Sequence, residues 1–141
     1  MRKAIAAGAL ALVSAAGCLV LAPAASASAN ACVVTSLATG PRDGVGNTAL
    51  KSATSSCSDL NLTKAVNLVY SGDLPSDSDS YAGRLYYTST KTWKTCSAGY
   101  LWAADGSYAV DKKVLCSDVK DNAKFTVVSY NNQGDYVEIT H

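Results

Sequence analysis

The chain has 141 residues, of which 12 are Lys or Arg and 11 are Asp or Glu, so its formal net charge at pH 7 is +1. This length suits a single compact domain. The basic residues are scattered and do not alternate with aromatic residues, which argues against nucleic acid as a partner.

The first thirty residues have the pattern of a secretory signal peptide. Arg2 and Lys3 form a basic start, an apolar, alanine-rich run follows, and Ala27-Ser28-Ala29 offers the small residues that signal peptidase accepts. This leader resembles those of actinobacterial secreted precursors. We therefore expect residues 1–29 to be removed, and residues 30–141 to act outside the cell as a single disulfide-stabilised β domain with no membrane attachment.

Two other interpretations of the leader compete with plain secretion. A retained membrane helix is disfavoured because Gly8 and Pro23 interrupt the apolar run and a cleavage pattern ends it. A lipoprotein signal is disfavoured because apolar residues continue after Cys18, whereas a lipidated cysteine normally ends the run.

The four remaining cysteines are Cys32, Cys57, Cys96 and Cys116. An even number in an exported chain predicts two disulfides, and three pairings are possible. Proximity in sequence favours Cys32 with Cys57 and Cys96 with Cys116. A zinc site would require short C-x-x-C spacings or supporting histidines, which are lacking, so no metal site is predicted.

Beyond residue 31, short alternating segments separated by turn residues predict an all-β fold. We expect a small antiparallel sandwich or a partly closed barrel with two disulfides and room for one short helix. The first strand covers residues 33–35, and the turn at residues 40–44 ends it. Residues 60–70 predict a long, half-buried strand, but their apolar residues also fit helical spacing, so a helix there stays an alternative.

Residues 71–80 are rich in Ser, Asp, Gly and Pro and predict a solvated loop. Further strands are predicted at residues 84–88, 92–102 with a kink at Gly99, 108–116, 124–130 and 136–140. Asp105-Gly106 and residues 131–134 predict tight reversals, and the final strand is placed at an edge or at a barrel closure. The predicted core comprises Val66, Leu68, Leu85, Val114, Leu115, Phe125, Val127, Val128, Val137 and Ile139.

Aromatic residues give the clearest functional signal. Trp93, Tyr100 and Trp102 lie close together in the sequence, and Tyr86 and Tyr87 precede them in a neighbouring predicted strand. Such side chains combine a flat apolar face with a polar edge, which suits protein interfaces and stacking on sugar rings. The alternative is that they fill the core and its rim.

Signals for catalysis are weak, so no enzyme activity and no cofactor are predicted. His141 is the sole histidine and the last residue, where we expect a solvated, frayed end. Arg84 and Glu138 would complete a ribonuclease-like set with His141, but no motif surrounds them. The acidic cluster of Asp73, Asp77 and Asp79 lacks the glutamate of an EF-hand loop, which favours an acidic loop over a calcium site.

The sequence therefore predicts a non-catalytic extracellular binding or inhibitor-like module that acts on an extracellular protein. Residues 41–46 and 71–80 are the segments expected to be presented to a partner. One alternative is a carbohydrate or cell-wall binding module that uses the surface aromatic residues on a polysaccharide. The other is a small secreted hydrolase such as a ribonuclease.

Overall fold

The computed structural model describes residues 31–54, 56–68, 70–71, 74–75 and 77–141. These residues form strands joined by turns and contain no helix. The strands are β1 (Val34–Ala38), β2 (Thr48–Leu50), β3 (Leu60–Val66), β4 (Tyr70–Ser71), β5 (Leu74–Pro75), β6 (Ser78–Tyr87), β7 (Thr92–Thr95), β8 (Leu101–Ala104), β9 (Gly106–Ser107), β10 (Val114–Cys116), β11 (Lys124–Ser129) and β12 (Tyr136–Thr140).

Two antiparallel sheets pack face to face, which makes the domain a β-sandwich. Sheet 1 has the order β1-β12-β3-β10, with β9 also paired to β3. Sheet 2 has the order β2-β11-β6-β7, with β8 also paired to β6. Strands β4 and β5 form a separate two-stranded ladder. The all-β prediction is confirmed, and the sandwich is the alternative that holds.

Both disulfides form in the predicted pairing, Cys32 with Cys57 and Cys96 with Cys116. The second bridge joins the end of β7 in sheet 2 to β10 in sheet 1, so it ties the two sheets together along one side. A crosslink that closes a loop of about twenty residues stabilises a fold by about 3 kcal/mol, chiefly through the unfolded chain.

Apolar side chains from both sheets meet in one core. Its fully buried members include Leu60, Leu62, Tyr81, Leu115, Phe125, Val127, Val137 and Ile139. Val66 and Val114 are only half-buried and Leu68 is 56% exposed, so the core prediction is wrong for these three residues, whereas Leu85 is half-buried but packs against the core. The cause is a bulge: Leu62 pairs with Ile139 and Lys64 pairs with Glu138, which leaves Thr63 unpaired and turns Ala65 inward.

The strand prediction for residues 60–70 is confirmed over Leu60–Val66, and the helix alternative is wrong. Pairing with β12 on one side and β10 on the other fixes the extended backbone. The predicted loop over residues 71–80 ends early, because β6 begins at Ser78 and Asp79 is buried. The final strand β12 is interior to sheet 1, between β1 and β3, and not at an edge.

The two predicted hairpin turns are corners between sheets. The Asp105-Gly106 turn follows β8 in sheet 2 and leads into β9 in sheet 1, and Gly106 adopts a φ of 146°. Residues 131–134 likewise connect β11 of sheet 2 to β12 of sheet 1, with Gly134 at a φ of 93°. Turn chemistry therefore located the reversals correctly but did not reveal which strands they join.

Candidate functional site

The aromatic residues are best described relative to β6, which lies inside sheet 2. Along β6, Tyr81, Gly83 and Leu85 turn toward the core and sheet 1. The alternate residues Ser80, Ala82, Arg84 and Tyr86 therefore belong to the outer face, which is turned away from sheet 1.

Strand pairing places both tryptophans on this outer face. Trp93 is the partner of Tyr86, and Trp102 is the partner of Ser80. Ser80 and Tyr86 lie six positions apart on β6, so the two indoles are separated by about 20 Å along the strand. The strands β7 and β8, which are nearly consecutive in the sequence, therefore both pair with the same edge of β6.

Tyr86 and Trp93 are in tilted ring contact at one end of the outer face. Their ring centroids are 5.3 Å apart and their planes are inclined by 55°. Both side chains are half-buried. The Arg84 guanidinium lies beside them and donates a hydrogen bond to the Trp93 carbonyl over 3.2 Å, which fixes the local backbone.

Residues 41–46, which we call the covering loop, fold over the middle of the outer face. Arg84 donates to the carbonyls of Asp43 and Gly44, and the Gly46 N–H donates to Thr126 Oγ1 over 3.1 Å. At the neck of the loop, Gly40 and Gly46 approach so closely that a Cβ on Gly40 would lie 2.3 Å from the Gly46 nitrogen. The loop is anchored to the sheet, while Pro41, Arg42, Asp43 and Val45 remain exposed, so its presentation to a partner stays a prediction.

Tyr100 and Tyr130 meet beside the covering loop. Their rings are in edge contact, with centroids 5.3 Å apart, and the Arg42 guanidinium lies 4.0 Å from the centroid of Tyr130. The Tyr100 hydroxyl accepts a hydrogen bond from the Asp43 N–H over 3.1 Å. Tyr100 therefore helps to hold the loop, while Tyr130 remains 42% exposed.

Trp102 is the most exposed large apolar side chain among the described residues, at 61%. It extends from β8, where Leu101 and Ala103 on either side face the core. Lys113 Nζ donates to the Trp102 carbonyl over 2.6 Å and lies 5.8 Å from its ring centroid. Exposure of a tryptophan to this extent on a regular strand departs from its usual burial.

Tyr87 does not share this surface. It follows Tyr86 on β6 and therefore belongs to the opposite face of sheet 2, where Lys94 Nζ lies 5.1 Å from its ring centroid. It lines two adjoining clefts of about 360 and 250 Å³ at the end of the sandwich.

Four of the five predicted binding residues therefore share one face, and Tyr130 joins them. We call Tyr86, Trp93, Tyr100, Trp102 and Tyr130 the aromatic face.

His141 is buried and ordered, contrary to the expected frayed end. Its backbone pairs with Val33 in both directions at 2.8 Å, and its ring packs edge-on against Phe125. The Ser52 N–H donates to Nδ1 over 2.9 Å, so Nε2 carries the proton and donates to Thr35 Oγ1 over 2.8 Å. Burial lowers the pKa of His141, and the nearby Lys51 lowers it further.

The hydrolase set of Arg84, Glu138 and His141 does not assemble. Arg84 is engaged on the outer face of sheet 2, whereas Glu138 lies on β12 of sheet 1 and accepts a hydrogen bond from the Tyr136 hydroxyl over 2.7 Å. Both ring nitrogens of His141 already have partners. The adjacent Ser52 hydroxyl donates to the His141 carbonyl over 2.6 Å and not to its ring, so the ring does not act as its base.

Within the predicted acidic cluster, Asp79 has structural partners and Asp77 is exposed. Asp73 lies outside the described residues. Asp79 accepts hydrogen bonds from Ser80, Asn131 and Asn132, including three backbone N–H groups. This carboxylate holds the corner at residues 131–134, and its oxygens are occupied by N–H donors. Among the described residues, no group of three or more His, Cys, Asp or Glu side chains has a metal-binding arrangement.

A second buried carboxylate lies beside Asp79. Asp135 accepts from the Tyr81 hydroxyl over 3.0 Å and from the Leu68 N–H over 3.1 Å. Burial raises the pKa of Asp135, and burial together with this carboxylate raises the pKa of Tyr81 well above its usual range. The pair links β6 to the end of the last corner and has a structural role.

Comparison with known proteins found no match: no family model, no curated protein and no solved structure is similar to this chain. No helix that could cross a membrane occurs in the described part of the chain.

Sequence reasoning missed Tyr130, Arg42 and Lys113 as neighbours of the aromatic residues. The alternation of β11 puts Tyr130 on the same face as Val128, but only the pairing of β11 with β6 shows which face that is.

Proposed function

We propose that this chain is a non-catalytic extracellular binding module and that the aromatic face is its contact surface. The observation that carries the proposal is the 61% exposure of Trp102 on the same face as the Tyr86–Trp93 pair. A large exposed aromatic group costs free energy in water, so its presence is typical of a surface that contacts a ligand.

The scaffold supports this role. Trp93 and Trp102 lie on strands of sheet 2, and both strands pair with β6. A disulfide links sheet 2 to sheet 1. Side chains on such a rigid frame lose little conformational entropy on binding. The two disulfides also suit an oxidising, extracellular location. The leader that would direct secretion lies outside the described residues.

An extracellular polysaccharide is the ligand class that this surface fits best. The aromatic side chains follow the edge of the sheet over about 20 Å, which gives an extended chain more than one ring to stack on. The hydroxyls of Ser80 and Thr95 belong to the same face and offer hydrogen bonds to sugar hydroxyls. The terminal nitrogens of Arg84, at the centre of this face, donate to backbone carbonyls and so are not available to a ligand.

The test is binding of the purified protein to insoluble cell-wall polysaccharides, together with titration of its tryptophan fluorescence by soluble fragments. Trp102→Ala should weaken binding by about thirtyfold, as expected when a large aromatic contact is lost. Tyr87→Ala is the matched control, because Tyr87 is also exposed but belongs to the other face. Equal binding by wild type and Trp102→Ala, or an equal loss in Tyr87→Ala, would refute the proposal.

An extracellular protein is the second candidate partner, including a secreted enzyme that the module would inhibit. The Arg42–Tyr130 contact favours it, because Arg and Tyr are enriched at protein interfaces. Capture from culture fluid with wild-type and Trp102→Ala baits tests it. A protein retained by the wild type and lost with the variant, in the absence of polysaccharide binding, would select this candidate.

A further inference from the structure

Two clefts that the proposed function does not use open at one end of the sandwich, beside the last residues of β6. The larger cleft has a volume of about 360 Å³ and the smaller cleft has a volume of about 250 Å³. Leu85 and Tyr87 line both clefts, so the Tyr87 side chain lies where they meet. Together the clefts form one continuous depression whose size suits a small molecule.

The larger cleft has an apolar lining at its base. Val119 is 5% exposed, and Leu85 and Ala123 are half-buried and pack against the core. The exposed residues Asp118 and Lys120 also line this cleft, and their opposite charges offset each other. The larger cleft therefore suits an uncharged apolar group such as a short alkyl chain.

The smaller cleft is lined by polar groups that are free to bind a ligand. Lys94, Ser97 and Ser117 all line it and are all exposed. Within the described part of the chain, the Lys94 ammonium has no ion-pair partner, and neither serine hydroxyl has a hydrogen-bond partner. Lys94 Nζ lies 5.1 Å from the ring centroid of Tyr87, beside the junction of the two clefts. An ammonium with two hydroxyls is a donor set for an anion.

The second disulfide keeps the two serines near each other. Ser97 directly follows Cys96 and Ser117 directly follows Cys116, and the Cα atoms of the two cysteines are 5.3 Å apart. The crosslink therefore fixes the backbone on both sides of the smaller cleft. Donors that are held in place before binding lose less conformational entropy when the ligand arrives.

We propose that the two clefts bind a small amphipathic anion, namely a carboxylate on a short alkyl chain. The carboxylate accepts hydrogen bonds from Lys94, Ser97 and Ser117 in the smaller cleft, and the alkyl chain passes Tyr87 into the larger cleft. The charged and apolar ends of such a ligand match the two halves of the site. The site shares only Tyr86 with the aromatic face, so it does not depend on the proposed polysaccharide.

Nuclear magnetic resonance titration of the purified protein with sodium hexanoate tests the proposal. The amide signals of Ser97, Ser117 and Val119 should shift and saturate, with a dissociation constant of about 1 mM because the clefts are open to solvent. The signals of Trp102 should stay in place, which separates this site from the aromatic face. Hexanol lacks the charge and acetate lacks four methylene groups, so each should bind at least about tenfold more weakly.

Three variants test the two halves of the site. Lys94→Gln removes the ammonium and should weaken hexanoate binding about tenfold. Lys112→Gln is the matched control, because it makes the same charge change at an exposed lysine that lines neither cleft, and it should bind like the wild type. Ala123→Leu occupies the larger cleft and should reduce hexanoate binding to the level of acetate. Near-ultraviolet circular dichroism verifies that each variant is folded.

Three outcomes would overturn the proposal. The first is the absence of saturable shifts at Ser97, Ser117 and Val119 when hexanoate is added to the wild type. The second is equal binding of hexanoate and hexanol, which would remove the role of the anion. The third is an equal effect of Lys94→Gln and Lys112→Gln, which would reduce the contribution of Lys94 to the net charge of the protein.

Discussion

Gly83, in the middle of β6, offers a sharp test of how the two sheets pack. A Cβ at this position would lie 2.4 Å from Cys116 Sγ and 3.1 Å from the Leu115 Cβ. The sulfur cannot move aside, because it is bonded to Cys96. We therefore predict that Gly83→Ala forces β6 and β10 apart and destabilises the domain.

The sign of the effect distinguishes packing from chain entropy. In an open strand position, replacement of glycine by alanine stabilises a protein by about 0.4–1 kcal/mol, because it restricts the unfolded chain. Inserting a methyl group into a closed core costs about 1–3 kcal/mol. We expect the second effect to dominate at Gly83, with a net loss of about 1–2 kcal/mol in the free energy of unfolding.

Urea unfolding followed by circular dichroism measures this difference. The cause is then located by repeating the substitution in a chain that carries Cys96→Ala and Cys116→Ala, which lacks the obstructing sulfur. There Gly83→Ala should cost clearly less than in the wild-type background, which is a coupling between neighbouring sites. A stabilised Gly83→Ala variant, or an equal cost in both backgrounds, would refute the packing argument.

Two further predictions concern His141 and Arg84. Because the pKa of His141 is lowered from 6.5 in the folded state, the unfolded chain takes up this proton first, and stability should fall as the pH drops below about 6.5. The raised pKa of Asp135 acts in the opposite sense, so the contribution of the histidine is taken as the difference between the wild type and His141→Gln in urea titrations between pH 7.5 and 5.5. His141→Gln should flatten this slope, and an unchanged slope would contradict the assignment. Arg84→Ala should release the covering loop at a cost of about 1–3 kcal/mol. Trypsin should then cleave after Arg42 faster than in the wild type, and an equal cleavage rate would show that Arg84 does not hold the loop.

The aromatic face shows how much of a surface site the local sequence pattern can predict. Alternation along residues 100–102 predicts correctly that Tyr100 and Trp102 share a side. Whether Trp93 joins them depends on the residues between, and Gly99, at a φ of 65°, lies in the turn that separates β7 from β8. Only the common partner strand β6 fixes the relation, because both segments are aligned against it.

For polar residues, the burial of His141 and Asp79 could not be predicted from the sequence. Both belong to residue types and sequence positions that are typical of solvent exposure, and the sequence around them gives no contrary signal. They are buried because distant backbone groups, from Ser52 in one case and from Asn131 and Asn132 in the other, supply hydrogen bonds that replace water. Such partners are set by tertiary contacts and have no local signature.

The sequence by itself determined the class of fold and its crosslinks, since alternation of period two, frequent turn residues and four cysteines at short separations are local properties of the chain. The tertiary structure alone decided which strands are neighbours, which turns are corners, and which side of each strand faces water. The physical reason is that strands pair through uniform backbone hydrogen bonds, so the choice of partner depends on how the two sheets close over one core.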